Sequence, residues 1–157
     1  MGMQYDVKSQ HGGVSGLMVP YRTRLKGAVV FPFSGATEYT VLVDDTSITG
    51  TYARATTTAT ITSANHGLST GQWVYLDWDL ADNPYQVTVT GVNTFTVTVA
   101  NSGAASGNVT VWNDVLLQLD ASNQTGYSVP IPGEGVLAHN GIRLFLGANT
   151  HITVFYG

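Results

Sequence analysis

From residue 58 to residue 111 the chain alternates apolar and polar, mostly hydroxyl, side chains, and this period of two constrains its fold more than any other feature. Ala59 and Ile61 stand between threonines. Val74, Leu76, Trp78 and Leu80 alternate with Trp73, Tyr75, Asp77 and Asp79, and Tyr85, Val87 and Val89 alternate with Gln86, Thr88 and Thr90. Phe95, Val97 and Val99, and then Val109 and Val111, continue the pattern. Successive side chains of a strand point to opposite faces, so this spacing makes half-buried strands and gives a helix no apolar stripe. No stretch of ten or more residues combines helical spacing with caps, and the expected fold is all-β.

The clusters Asn65-His66-Gly67, Asp82-Asn83-Pro84, Gly91-Val92-Asn93 and Asn101-Ser102-Gly103 separate these strands; their residues tolerate positive φ or fix a bend. Residues 51–112 thus form a small β-sandwich or barrel module. Around it the expected strands are 26–33, 38–44, 114–120, 127–131, 134–138, 141–147 and 151–156, richer in Leu, Ile and Phe and poorer in Thr. That shift predicts an outer β-sandwich, jelly-roll-like or immunoglobulin-like, made of residues 1–50 plus 113–157, with the module inserted at a hairpin tip. Strands 38–44 and 114–120 would then be neighbours.

Charged residues make up 10 % of the chain, well below the ~25 % usual for globular domains. A net charge of −4 and only six Lys and Arg argue against nucleic acid as a partner, because phosphate binding needs clustered cations. No apolar run approaches the ~20 residues that span a bilayer, and residues 1–13 lack the apolar core of a signal peptide, so no membrane partner is expected. Gly2 is no myristoylation signal, since Asp6 stands where Ser or Thr is wanted. Without cysteine there is no disulfide, thiolate nucleophile or Cys-based zinc site.

His66, with Asp77 and Asp79 behind it, is the first candidate site. No His-x-x-x-His or His-x-Asp spacing supports a metal there, and histidine is common at turn positions of positive φ; no metal and no cofactor are expected. Asp77 and Asp79 project from one strand face about 7 Å apart, which reads as a solvated face. Asp44-Asp45 before Thr46-Ser47 reads as a turn that can hold a cation. Gly13-Val14-Ser15-Gly16 lacks the pattern of a nucleophile elbow, and Gly133-Glu134-Gly135 lacks the Lys and helix of a phosphate loop. No catalytic residues are assigned and no enzyme is expected. Trp73 and Tyr75 share a face on which a glycan of a host surface could stack, which makes a carbohydrate-binding module one alternative. Tyr21, Arg22, Arg24 and Lys26 make an extended segment with three cations in register and an aromatic anchor, a contact strip for an acidic surface.

The segments TITSANHGL (60–68), YQVTVTGVNTFTVTV (85–99) and SGAASGNVTV (102–111) resemble a short β module of bacteriophage virion proteins. The flanks YDVKSQHGGVSGLMVPYRTRLKGAVV (5–30) and SVPIPGEGVLAHNGIRLFLGANTHITVFYG (128–157) are similar to a family of small phage structural proteins, most specifically in IPGEG and the closing TVFYG. The resemblance implies a corner at His66 and a structural component of the virion, made in the host cytoplasm. The expected role is a capsid decoration or cement protein, a homotrimer that binds the major capsid protein and copies of itself. Tyr21, Arg22, Arg24, Lys26, Phe155 and Tyr156 would make the capsid or subunit contact, and His66, Trp73, Tyr75, Asp77 and Asp79 would face outward. A tail or neck component, such as a short fibre knob or an adaptor, is the other alternative.

Overall fold

The computed structural model describes residues 6–33, 39–81, 83–120 and 125–157. Gly2, Glu38 and Asp82, each invoked above, lie outside the described residues. The described chain is all-β, with sixteen strands and no helix among them. It divides into two compact units, one of Met1–Asp45 with Leu116–Gly157, the other of Thr46–Val115.

The first unit holds strands β1 (Lys8–Gly12), β2 (Gly16–Val19), β3 (Thr23–Pro32) and β4 (Tyr39–Asp44), and later β12 (Val115–Asp120), β13 (Tyr127–Pro130), β14 (Val136–Ala138), β15 (Ile142–Leu146) and β16 (Thr150–Tyr156). One sheet runs β1-β16-β3-β13, with β14 also on β3; a second runs β12-β4-β15-β2. Leu25, Ala28, Val30, Ile152 and Val154 from the first meet Val19, Leu42, Ile142 and Leu144 from the second in one core, the arrangement of a β-sandwich. β4 and β12 are neighbours, which brings together the two points where the chain leaves and re-enters this unit.

The second unit holds β5 (Ser47–Ala55), β6 (Thr58–Thr62), β7 (Trp73–Trp78), β8 (Asn83–Gln86), β9 (Thr88–Gly91), β10 (Thr94–Thr98) and β11 (Ser106–Trp112), in the order β8-β7-β11-β5-β6-β10-β9. β8 and β9 stand at opposite ends of this order, yet only Val87 separates them in the chain. The sheet therefore curls until its two edges meet in one segment, 83–91. At the bend the Val87 amide donates to the Gln72 carbonyl at 3.0 Å and its carbonyl accepts from the Gly71 amide at 2.8 Å. Ile61, Val74, Leu76, Phe95 and Val111 fill the interior. The threonines between them face out and pair across strands, Thr51 and Thr94 each with Thr62, Thr96 with Thr60 and Thr88, and Thr98 with Thr58. Cross-strand hydroxyl pairs of this kind account for the threonine content without any recourse to charge.

Three strands carry no clear signal in the sequence. β1 has no buried side chain and is held by its ladder to β16. β2 contributes only Met18 and Val19 to the core. β5 breaks its own alternation with Gly50, where a side chain would collide with the Thr62 carbonyl. The expected strand 134–138 shortens to β14 because Gly135 takes φ +77° and turns the chain.

Candidate interaction surfaces

His66 does not face outward; it is 4 % exposed. Asn65 (φ 48°) and Gly67 (φ 68°) hold the left-handed backbone that turns the ring inward. The Leu68 amide donates to Nδ1 at 3.0 Å, which fixes the tautomer, so that Nε2–H donates to the Gly91 carbonyl at 3.0 Å. Both nitrogens are thus spent within the protein, and the ring packs edge-on against Phe95 at 5.2 Å. The corner is where the sequence places it, but the imidazole is an internal clasp rather than a tip residue.

Tyr75 is the second correction. At 4 % exposure it is buried, flanked across the strands by Pro84 and Trp112, whereas Trp73 two residues earlier is 52 % exposed. A two-ring stacking platform is therefore absent. Asp77 and Asp79 are exposed, as expected, and line an open groove of about 760 Å³ together with Thr49, Thr51, Asn108 and Thr110. Behind the groove, burial first and then the Asp79 charge push the Tyr52 phenol above its ordinary pKa, opposed by Arg54.

Neither Asp44 nor Asp45 is left for a cation. Asp44, 2 % exposed, accepts from the backbone and side-chain nitrogens of Asn140 at 2.8 and 3.0 Å, and Asp45 accepts from Arg143 Nε at 2.6 Å. Among the described residues no group of three or more His, Asp or Glu side chains gathers as a metal site.

The cationic strip is present in altered form. Arg24 and Lys26 are half-buried and Arg22 is exposed, while Thr23 and Leu25 between them point into the core. Arg24 meets Glu134 at 3.3 Å and Lys26 donates to the Glu134 carbonyl at 3.0 Å. Sequence reasoning missed Lys8, which lies 5.7 Å from the centre of the exposed Tyr21 ring. Lys8, Tyr21, Arg22 and Arg24 border one groove of about 420 Å³, with Asp6 at its edge. Lys8, Arg22, Arg24 and Lys26 are four of the six cations of the chain. Among the described residues Lys8, Arg22 and Lys26 make no ion pair.

Two residues leave the expected contact set. Tyr156 is 8 % exposed and supports Tyr21 from below, ring centres 6.4 Å apart; the hydrogen bond with Tyr21, and then burial, raise its pKa. Phe155, half-buried, alternates to the opposite face of β16.

Arg54 is a further residue that the sequence reading did not single out. Its guanidinium donates to the carbonyls of Thr56, Gly103 and Ala104 and to Asn101 Oδ1, at 2.8 to 3.3 Å, and ties the loop before β11 to β5. An Arg in a Thr-rich alternation gives no hint of its partners at Asn101, Gly103 and Ala104, which lie some fifty residues away.

Compared with protein-family models and with curated proteins, the sequence matches neither.

Proposed function

We propose that the chain is a structural protein of a bacteriophage virion, in the first place a decoration or cement protein that binds the head shell through its flanking unit. The observation that carries this is the gathering of Lys8, Arg22 and Arg24 with exposed Tyr21 around one groove, with Lys26 further along the same strand, in a chain of net charge −4. Cations set around an aromatic anchor, of which Lys8 and Arg22 make no ion pair among the described residues, suit a contact with an acidic protein surface. In this reading, which leans on the resemblance of its segments to phage virion proteins, that surface would be the major capsid protein. A homotrimer at a local three-fold position would repeat each modest contact and multiply it into avidity. The threonine-covered unit, with Trp73, Asp77 and Asp79 exposed, would project from the shell. Emptied heads of the encoding phage, sedimented with the purified protein, test this. Binding is expected to weaken with added salt and to fall at least tenfold on reversal of Arg22 and Arg24 to Glu. Binding indifferent to both would remove the cationic strip from the account.

A second function, glycan recognition, keeps one supporting observation, the exposed Trp73 ring. A tail or neck position would use the same two surfaces in a different assembly.

A further inference from the structure

Among the described residues, the one acid in an ion pair with the cationic strip is Glu134, and an unusual loop puts it there. β13 ends with Pro130 opposite Gly27 and β14 begins with Val136 opposite Leu25, so the five residues 131–135 loop out over the single position Lys26. The backbone of the loop is tied down along β3. The Ile131 amide donates to the Lys26 carbonyl at 2.9 Å, Lys26 Nζ to the Glu134 carbonyl at 3.0 Å and Arg24 Nη1 to the Gly135 carbonyl at 3.5 Å. Glycine at 135 lets the loop lie against the strand, since a Cβ there would collide with the Leu25 carbonyl. Glu134 is the only charged residue of Ile131-Pro132-Gly133-Glu134-Gly135. Its side chain, 85 % exposed, reaches Arg24 Nη2 through Oε2 at 3.3 Å.

An ion pair this exposed is weak, because water solvates both charges, and its partners exchange readily. The groove favours a newcomer. Glu134 pairs with Arg24 alone, whereas an acid entering from outside meets Arg24 together with Lys8 and Arg22 around the same groove, with the Tyr21 ring for its apolar part. A segment with several carboxylates therefore gains more cations than Glu134 gives up. Nucleic acid fits less well, since a track for phosphates needs a cation for each charge it neutralises and this groove offers three.

We propose that the groove of Lys8, Arg22 and Arg24 takes a carboxylate-bearing segment of a partner protein, and that Glu134 is a built-in competitor that holds Arg24 until the partner displaces it. This rests on the strip being a contact for an acidic protein surface, whichever protein presents it.

Fluorescence anisotropy of a labelled hexaglutamate peptide at low salt, with hexaglutamine as control, tests this on the full chain with no phage component present. The protein is expected to bind hexaglutamate and not hexaglutamine, and Glu134→Gln to tighten the binding about two- to fivefold, the worth of one exposed ion pair. In an Arg24→Ala background Glu134→Gln should change nothing, and Asp120→Asn, which removes the same charge from another strand, should not tighten the binding of the unaltered groove. Hexaglutamate that does not bind, no gain on Glu134→Gln, a gain that persists without Arg24, an equal gain from Asp120→Asn, or an oligonucleotide bound as tightly as hexaglutamate would overturn the proposal. Heads that bind the protein while hexaglutamate fails would sink the groove chemistry and spare the virion reading; hexaglutamate that binds as expected while heads fail would do the reverse.

Discussion

His66 and Gly91 are joined by a hydrogen bond of 3.0 Å from the imidazole Nε2 to the carbonyl, which fastens the corner after β6 to the turn between β9 and β10. Since the same ring also accepts the Leu68 amide, His66→Ala orphans a donor and an acceptor in a buried place. Each orphaned group costs about 1–3 kcal/mol, so the variant should lose about 2–6 kcal/mol in urea unfolding of the whole chain. A change under about 0.5 kcal/mol would contradict the clasp.

Trp73 and Tyr75 should separate cleanly. Tyr75→Ala removes a buried ring and is expected to cost about 3–5 kcal/mol, as other buried aromatic truncations do. Trp73→Ala changes an exposed ring and should stay within about 0.5 kcal/mol in the same melt. A glycan array then reads function without confusion from folding: signal lost with Trp73→Ala alone supports sugar recognition, and absence of signal for the unaltered protein removes it.

Arg54 predicts a different kind of loss. Its four acceptors lie around one guanidinium, a geometry that the single ammonium of lysine cannot reproduce. Arg54→Ala should cost about 1–2 kcal/mol and speed proteolysis near residues 101–104, and Arg54→Lys should recover little of it. Full rescue by lysine would show that charge, not the fork of donors, holds the loop.

Alkaline pH should unfold the protein earlier than its net charge alone implies. Tyr52, Tyr127 and Tyr156 all have phenol pKa values raised in the folded state, by burial first for Tyr52 and Tyr127 and by the Tyr21 hydrogen bond first for Tyr156. An unfolded phenol titrates near ~10. From there up to the folded values the unfolded chain holds fewer protons than the folded one, so this part of the stability is complete below about pH 10 and declines as pH rises. Phenolate absorbance followed together with circular dichroism checks it. Tyrosines that all ionise near pH 10 with the fold intact would contradict it.

Much of the fold was legible because an alternation of apolar and hydroxyl residues dictates strands whatever their partners. Ile61, Leu76, Phe95 and Val111 are inside for that reason. The alternation was silent where backbone pairing alone makes a strand, as in Lys8–Gly12, and where a glycine interrupts the pattern, as at Gly50. The surfaces were less legible. Period two put Tyr75 on the face of Trp73 but cannot say which parts of a face are covered, and an Asn-His-Gly corner does not reveal whether its ring turns in or out. Lys8 and Arg22 are close only because β1 lies beside β16 and so beside the end of β3, a relationship of sheet order rather than of spacing.

The central claim is that this chain is built into a phage particle. The most direct test is quantitative mass spectrometry of density-gradient-purified virions of the encoding phage. The account predicts peptides of this chain in the particle band, in fixed ratio to the major capsid protein and depleted when Arg22 and Arg24 are reversed to Glu. Its presence only in the soluble lysate, with particles of normal composition, would contradict it.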